Sequence, residues 1–423
     1  MISPHPNIWF PYAQMQNLQY IPKAVKTSGS KIYLENNQVL IDGISSWWTA
    51  CHGYNNQTIV KSIIDQAKKM PHIMFGGFSH FPAEELTDNL LSILSNKYKH
   101  IFYVDSGSVG IEVSMKMAVQ FWLNIGIKGK NKFISFKNAY HGDTLGAMSV
   151  CDLEEGMHSL FKGYISKQLL AEIPSTMLLK EKFEKFVIRH KSKVAAIILE
   201  PLVQCAGGMK MHSADVVTYI SRIAKKHKIL FILDEIATGF GRTGTMFAYE
   251  QTYVRSDILC LGKALTGGTM SLAAVVASSE IYKAFLSSDF SKALMHGPTY
   301  MANPLACAAA NASIKIFKNE PRLDQVLNIE KLIKARVNIY RKLPGVVDVR
   351  VKGAVGVIQL EKIADLNWLR NRFIEKGVWI RPFLDVIYIM PCFTIKDHEI
   401  NRLLDAIEEI IPEWADKFYK AKK

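Results

Sequence analysis

The sequence predicts an α/β fold: a large domain around a mainly parallel central sheet, and a smaller α+β domain built from both termini. Three observations carry this. Between about residues 100 and 280, short apolar runs alternate with longer amphipathic stretches. Those runs are continuous rather than alternating, as expected of strands covered on both faces. The material before residue 45 and after residue 320 has a different pattern. At 423 residues with 49% hydrophobic and 21% charged side chains, the chain can bury a large core. The expected division is 46–319 for the large domain, with 1–45 and 320–423 forming the small one.

In order along the chain, Lys31–Asp42 reads as a hairpin. His100–Val104 reads as a strand, followed by a helix over Ser108–Trp122 with Val109, Val113, Met117 and Phe121 on one face. Lys132–Phe136 and Val194–Leu199 are strands, and Ser213–Lys228 is a helix with Ser213 as its expected N-cap. Ile229–Leu233, Asp257–Leu261 and Leu272–Ala277 are further strands, and Asn303–Phe317 is an Ala-rich helix. After residue 320, Val346–Leu360 alternates apolar and polar, followed by a helix over 365–376, a strand over Val386–Met390 and a helix over 397–419.

Several function classes are disfavoured. The longest apolar runs are far shorter than the roughly 20 residues a spanning helix needs, so no membrane partner is expected. The beginning, Met1-Ile-Ser-Pro-His-Pro6, lacks a basic segment followed by an apolar core. Six cysteines are scattered and never paired as Cys-x-x-Cys, which removes zinc ribbons and metal sites of that kind and fits reduced thiols in the cytoplasm. The 52 Lys+Arg against 38 Asp+Glu give a formal charge of +14. The lysines are dispersed over helix faces, however, and only Lys417–Lys423 forms a cluster. That pattern fits attraction of anionic metabolites better than nucleic-acid binding.

One motif misleads. Gly239-Phe-Gly-Arg-Thr-Gly244 matches G-x-G-x-x-G, but Asp234–Thr238 separate it from the preceding strand. No acid stands at the tip of a second strand where the dinucleotide fingerprint needs one. The stronger constellation is Asp234 and Lys263, at the ends of two successive strands of one sheet. Ligands of open parallel sheets sit outside the carboxyl ends of the strands. Pyridoxal 5'-phosphate needs a lysine amine for a Schiff base and a carboxylate against its pyridine nitrogen. Asp105-Ser-Gly-Ser-Val109, between strand and helix, adds a phosphate cradle: Gly107 for a tight turn, Ser108 and the first-turn amides as donors. Tyr140, after the strand 132–136, is placed to stack on a planar ring. Gly297-Pro298-Thr299 turns before the Ala-rich helix, and Thr299 can donate to a phosphate. The adjacent Trp47 and Trp48 cannot both face one core, so at least one lines a cleft.

On these residues the chain resembles the class III, fold-type I pyridoxal-phosphate aminotransferases. The resemblance runs from Trp9-Phe-Pro-Tyr12 to Tyr388-Ile-Met-Pro391. Leu233–Gly244 and the Lys263 segment are shared across the class. Asp42–Trp48, Asp105–Lys116, Leu259–Gly268, His296–Tyr300 and Gly377–Phe383 are similar to the branch that moves an amino group from S-adenosylmethionine to 8-amino-7-oxononanoate in biotin synthesis. The resemblance implies Lys263 as the Schiff-base lysine and Asp234 as the pyridine partner. It implies Gly107, Ser108, Pro298 and Thr299 around the phosphate, the last two across a homodimer interface, and Tyr140 near the ring. Tyr12, Trp47, Asp143, Gly297, Arg381 and Tyr388 match substrate-contacting positions, with Arg381 on the far carboxylate. Glu200 and Arg242 match a pair lining the site. Three residues depart from the pattern: Cys205 stands where it commonly has Gly, Ala302 replaces a Gly, and Phe10 replaces a polar residue before Pro11-Tyr12. Other readings at this point are a class III enzyme using ornithine, 4-aminobutyrate or lysine as donor, a catalytically idle cofactor-binding protein, and a dinucleotide-dependent oxidoreductase resting on Gly239–Gly244.

Overall fold

The computed structural model describes residues 5, 7–17, 21–154 and 157–419; the segment before His5 and the last lysines of the 417–423 cluster lie outside them. The chain divides into two compact units: Met1–Trp47, Cys51–Asn56 and Asn328–Lys423 in one, Trp48–Ala50 and Gln57–Leu327 in the other.

The larger unit is built on a seven-stranded sheet: β1 (Tyr98–Val104), β2 (Lys132–Phe136), β3 (Leu169–Ala171), β4 (Val194–Leu199), β5 (Leu230–Asp234), β6 (Ile258–Leu261) and β7 (Ala273–Ser278). Their spatial order is β1-β7-β6-β5-β4-β2-β3. β7 is antiparallel to both its neighbours, and the other pairings are parallel. Every residue of β4, β5, β6 and β7 is buried, which is why those strands read as unbroken apolar runs. β3 was not legible in the sequence. It is three half-buried residues at the sheet edge, too short to show a period.

The helices that cover this sheet explain most of the remaining pattern. Helix α1 (Gly107–Asn124) buries Ile111, Val113, Met115, Met117, Phe121 and Trp122. That is more than the single face expected, and these side chains join Ile198, Ile232, Ile258 and Val275 in one core cluster. Helices α2 (Met177–His190) and α3 (Ala214–Lys226) follow β3 and precede β5. Ser213 holds the N-cap position of α3, but its side chain makes no capping bond. In α4 (Pro304–Asn319), Asn303 Oδ1 accepts from the amides of Leu305 and Ala306 at 3.0 and 3.2 Å. Pro304 fits there because the first helical N–H has no partner to lose.

The smaller unit contains two sheets. Ala24–Ser28, Lys31–Leu34 and Val39–Asp42 form an antiparallel meander, to which Val378–Trp379 adds in parallel, with Val378 opposite Ile41 and Trp379 opposite Asp42. Val346–Lys352, Val355–Leu360 and Val386–Ile389 form a second, antiparallel sheet. Residues from the two ends of the chain are thus hydrogen-bonded into one structure.

Candidate active site

Five strand ends of the larger unit open onto one cavity. Its wall takes Ser106–Ser108 after β1, Tyr140–Gly142 after β2, Glu200 and Cys205 after β4, Asp234 and Ile236 after β5 and Lys263 after β6, with Trp48 closing one side. The register explains the central pair. Asp234 lies opposite Cys260 in the parallel β5–β6 ladder, so the last residue of β5 and Lys263, just past the end of β6, leave the sheet on the same edge. Lys263 sits in the left-handed region, with φ 44, and its Nζ lies 5.1 Å from the centroid of the Trp48 ring.

Asp234 is held from two directions. Its Oδ1 accepts from the Ile236 amide at 3.1 Å, and its Oδ2 lies 2.7 Å from His141 Nδ1. His141 is fully enclosed. Burial pulls its pKa down, but the hydrogen bond and charge of Asp234, with the charge of Glu200, outweigh that and leave it raised. The other ring nitrogen, Nε2, is buried and has no hydrogen-bond partner among the described residues. Glu200 accepts from the Tyr140 amide and from the Cys205 amide, both at 3.0 Å. Burial pushes its carboxyl up to about 7. Sequence reasoning passed over His141, although it follows Tyr140 directly; a single histidine carries no signal until its partner 93 residues away is known.

The β1–α1 corner departs from the expected detail. The N-cap is Ser106, whose Oγ accepts from the Val109 amide at 3.3 Å. Ser108 instead accepts from the Asp143 amide at 3.1 Å. Gly107 does not serve a left-handed turn: a Cβ there would stand 2.9 Å from Ile236 Cγ2, so the glycine permits a close approach. A Cβ on Gly142 would meet Ser108 Oγ at 2.1 Å. The backbone therefore comes up tight against the cavity beside first-turn amides that no helical carbonyl can accept. Helix amides for a phosphate, an anchored carboxylate for a pyridine nitrogen and a lysine for an aldehyde together fit pyridoxal phosphate.

Tyr140 packs its ring on His158, with centroids 5.8 Å apart and planes 22° apart, and donates from its hydroxyl to Asp143 Oδ1 at 2.9 Å. His158 Nε2 approaches the same oxygen at 3.2 Å. Arg242 is buried in the Gly-rich loop and does not line the cavity. That loop turns back on itself through bonds from the Gly241 amide to Met246 O and the Gly244 amide to Gly241 O. A short 3-10 turn rather than an α-helix follows it, so it lacks the helix N-terminus a dinucleotide pyrophosphate needs. Gly297, Pro298 and Thr299 lie on a partly exposed loop and are not among the residues lining this cavity. Cys205 is buried and engaged with Glu200. Ala302 adopts φ 51, a conformation glycine would hold without strain.

In the smaller unit, Trp47 is the centre of a second cluster. The Arg381 guanidinium lies 5.1 Å above its ring, and Tyr12 meets it edge-on at 6.1 Å. Among the described residues no carboxylate pairs with Arg381. Tyr388 is buried and packs edge-on against Phe383 at 5.3 Å. Of the two adjacent tryptophans, Trp48 is buried and Trp47 is 40% exposed.

Comparison with known proteins agrees with the geometry. Residues 12–411 match the family model described as aminotransferase class-III. An adenosylmethionine-8-amino-7-oxononanoate aminotransferase of Buchnera aphidicola is 42% identical over 96% of this chain and 95% of its own. The Saccharomyces cerevisiae protein of that name is 36% identical over 96% of this chain and 95% of its own. The crystal structure of the Methanocaldococcus jannaschii protein of that name superposes with a TM-score of 0.92, at 34% identity, covering 96% and 97% of the two chains. A PLP-bound amine transaminase from an uncultivated Pseudomonas species has a TM-score of 0.89 at 26% identity, covering 96% and 98%. With a family match over nearly its whole length and relatives this close, the chain belongs to the class III aminotransferases and is a pyridoxal-phosphate-dependent enzyme.

Proposed function

We propose that this aminotransferase moves the amino group of S-adenosylmethionine to 8-amino-7-oxononanoate, giving 7,8-diaminononanoate for biotin synthesis. The observation that carries the reading is Arg381: a guanidinium stacked on Trp47 and, among the described residues, left without a carboxylate partner. It suits an acceptor whose carboxylate lies far from its reacting carbonyl, because a planar fork binds a carboxylate through two parallel bonds. Relatives from bacteria, an archaeon and yeast that carry the same substrate-bearing name support it.

Bound pyridoxal phosphate supplies a carbonyl that condenses with amines and a ring that withdraws electrons. The protein does the rest. Asp234, fixed by His141 and the Ile236 amide, would keep positive charge on the ring nitrogen. Gly107 and Ser108 would hold the phosphate at the start of α1. Lys263 would hold the cofactor through its amine and move the proton at the substrate's amine-bearing carbon. Tyr140, with Asp143, would order the substrate near that carbon, and we assign Trp47, Tyr12 and Tyr388 to substrate contact. We assign Gly297, Pro298 and Thr299 to a partner subunit's phosphate in a homodimer. We also place the enzyme in the cytoplasm, where its six free, buried thiols stay reduced.

The test is a donor screen that follows the visible absorption of the bound cofactor. S-adenosylmethionine should convert the band, and 8-amino-7-oxononanoate should restore it. Conversion by lysine, ornithine or 4-aminobutyrate, with none by S-adenosylmethionine, would replace this donor.

A further inference from the structure

Ser45, Ser46, Trp47 and Trp48 have φ values of 48, 48, 55 and 74. None is glycine. L-residues visit the left-handed region singly, because Cβ crowds the carbonyl. A run of four therefore persists only where its surroundings over-determine it, and such strain gathers at functional sites.

The surroundings here centre on one carboxylate. Asp42, 2% exposed, accepts through Oδ1 from the amides of Ile44 and Ser45 at 2.8 and 3.1 Å. Its Oδ2 accepts from the Ser46 amide at 3.2 Å and from the Tyr54 hydroxyl at 2.6 Å. Ser45 Oγ donates to Met390 O at 2.9 Å, and Ser46 Oγ shares a hydrogen with the Tyr54 hydroxyl at 2.5 Å. The turn so held delivers two indoles in succession. Trp47 emerges against Tyr12 and Arg381, and Trp48 turns in over Lys263. A right-handed turn at the same place would point both rings elsewhere.

We propose that Asp42 is a positioning residue for catalysis: by clamping the left-handed Ser45–Trp48 turn it aims Trp47 at the substrate beside Arg381. The claim rests on the reading of Trp47 and Arg381 as substrate contacts, but not on which amine is the donor. The clamp acts through the indole and touches no reacting atom.

A double-mutant cycle on the holoenzyme tests it. Asp42→Asn keeps the shape but turns an amide toward backbone N–H groups, so the turn should loosen. With the acceptor the wild type uses, KM should rise about tenfold, the scale expected when hydrogen bonds to a charged group are lost. The near-ultraviolet circular dichroism of tryptophan should change with it. In a Trp47→Ala background, Asp42→Asn should add little to KM, because the ring being aimed is gone. An equal KM rise in both backgrounds would reduce Asp42 to a structural residue and overturn the proposal, as would an unchanged KM in the single variant. If Asp42→Asn fails to fold, Tyr54→Phe, which removes one donor, is carried through the same cycle, with a smaller rise expected and the same outcome overturning the claim. Because every value is a ratio to wild type with its own substrates, a wrong donor assignment would show in the donor screen and leave this test intact.

Discussion

The two groups of side chains to which we assign the chemistry and the substrate are built differently. At the sheet edge, Asp234 and Glu200 are each 4% exposed and His141 3%, and each is fixed by short hydrogen bonds to backbone or to one another. In the smaller unit, Tyr12 and Trp47 are 55% and 40% exposed, and Trp47 meets the Tyr12 ring edge-on and Arg381 across its face. Charges that must be oriented before any substrate arrives gain from a dry, preorganised setting. Groups that read the outline of a substrate gain from apolar surface and adjustable contact. Damage to the first group should therefore hurt every substrate alike, whereas damage to the second should sort substrates from one another.

The largest effect should come from Lys263→Ala. With no amine to hold the cofactor or carry the proton, turnover should fall by at least ~10³-fold with every donor and acceptor. Borohydride should then fix no pyridoxal phosphate to the chain, as mass measurement would show. Loss with only one substrate would place Lys263 in the wrong group.

Next comes the anchored carboxylate. Asp234→Asn removes the charge, and turnover should drop by about 10²–10³-fold in both half-reactions, the scale of losing one preorganised electrostatic contact. His141→Phe should cost less, about tenfold, and should weaken cofactor retention because Asp234 then loses one of its two anchors. If His141→Phe were as severe as Asp234→Asn, the histidine would itself meet the cofactor rather than orient the acid.

Arg381→Leu probes the other cluster. Acceptor KM should rise by roughly 10–100-fold as the charge-assisted contact to its carboxylate disappears. Single-turnover conversion by the donor should stay near the wild-type rate. Equal damage to both half-reactions would erase the contrast between the two clusters.

How much of this was legible follows from the same contrast. β4–β7 could be read because burial on both faces leaves no polar residue to interrupt them, and Asp234 and Lys263 stood out as polar residues ending such runs. The direction of β7 was not readable, since an apolar run looks the same in either sense. Partners that meet only after folding left no trace: His141 with Asp234, and the Ser106 hydroxyl with the Val109 amide at the start of α1. The Ser45–Trp48 turn was hidden for a sharper reason, because nothing in Ser-Ser-Trp-Trp announces a left-handed backbone that glycine would normally mark.

The smallest effect concerns Glu235, the neighbour of Asp234, whose partners lie elsewhere. Its carboxyl accepts from the Ala248 and Tyr249 amides at 2.7 and 2.8 Å and from the Thr238 hydroxyl at 3.3 Å. It is wholly buried, and burial pushes its pKa up to about 8 from an ordinary 4.5. In the unfolded chain this group loses its proton near 4.5, while in the folded protein it keeps it until about 8. The folded state thus binds more protons across that window, so stability falls as pH rises through it and levels off above. Glu235→Gln carries no titrating proton. The variant should be less stable at pH 5, since one amide hydrogen now faces a backbone N–H, but its urea midpoint should decline less between pH 5 and 8. The difference in slope should approach roughly 1.4 kcal/mol per pH unit at most. Since the cofactor's own pH dependence is common to both proteins, parallel slopes would mean that Glu235 is ionised inside the fold. It would then belong with the charged groups of the site next to it rather than with the scaffold that holds the 248–249 turn.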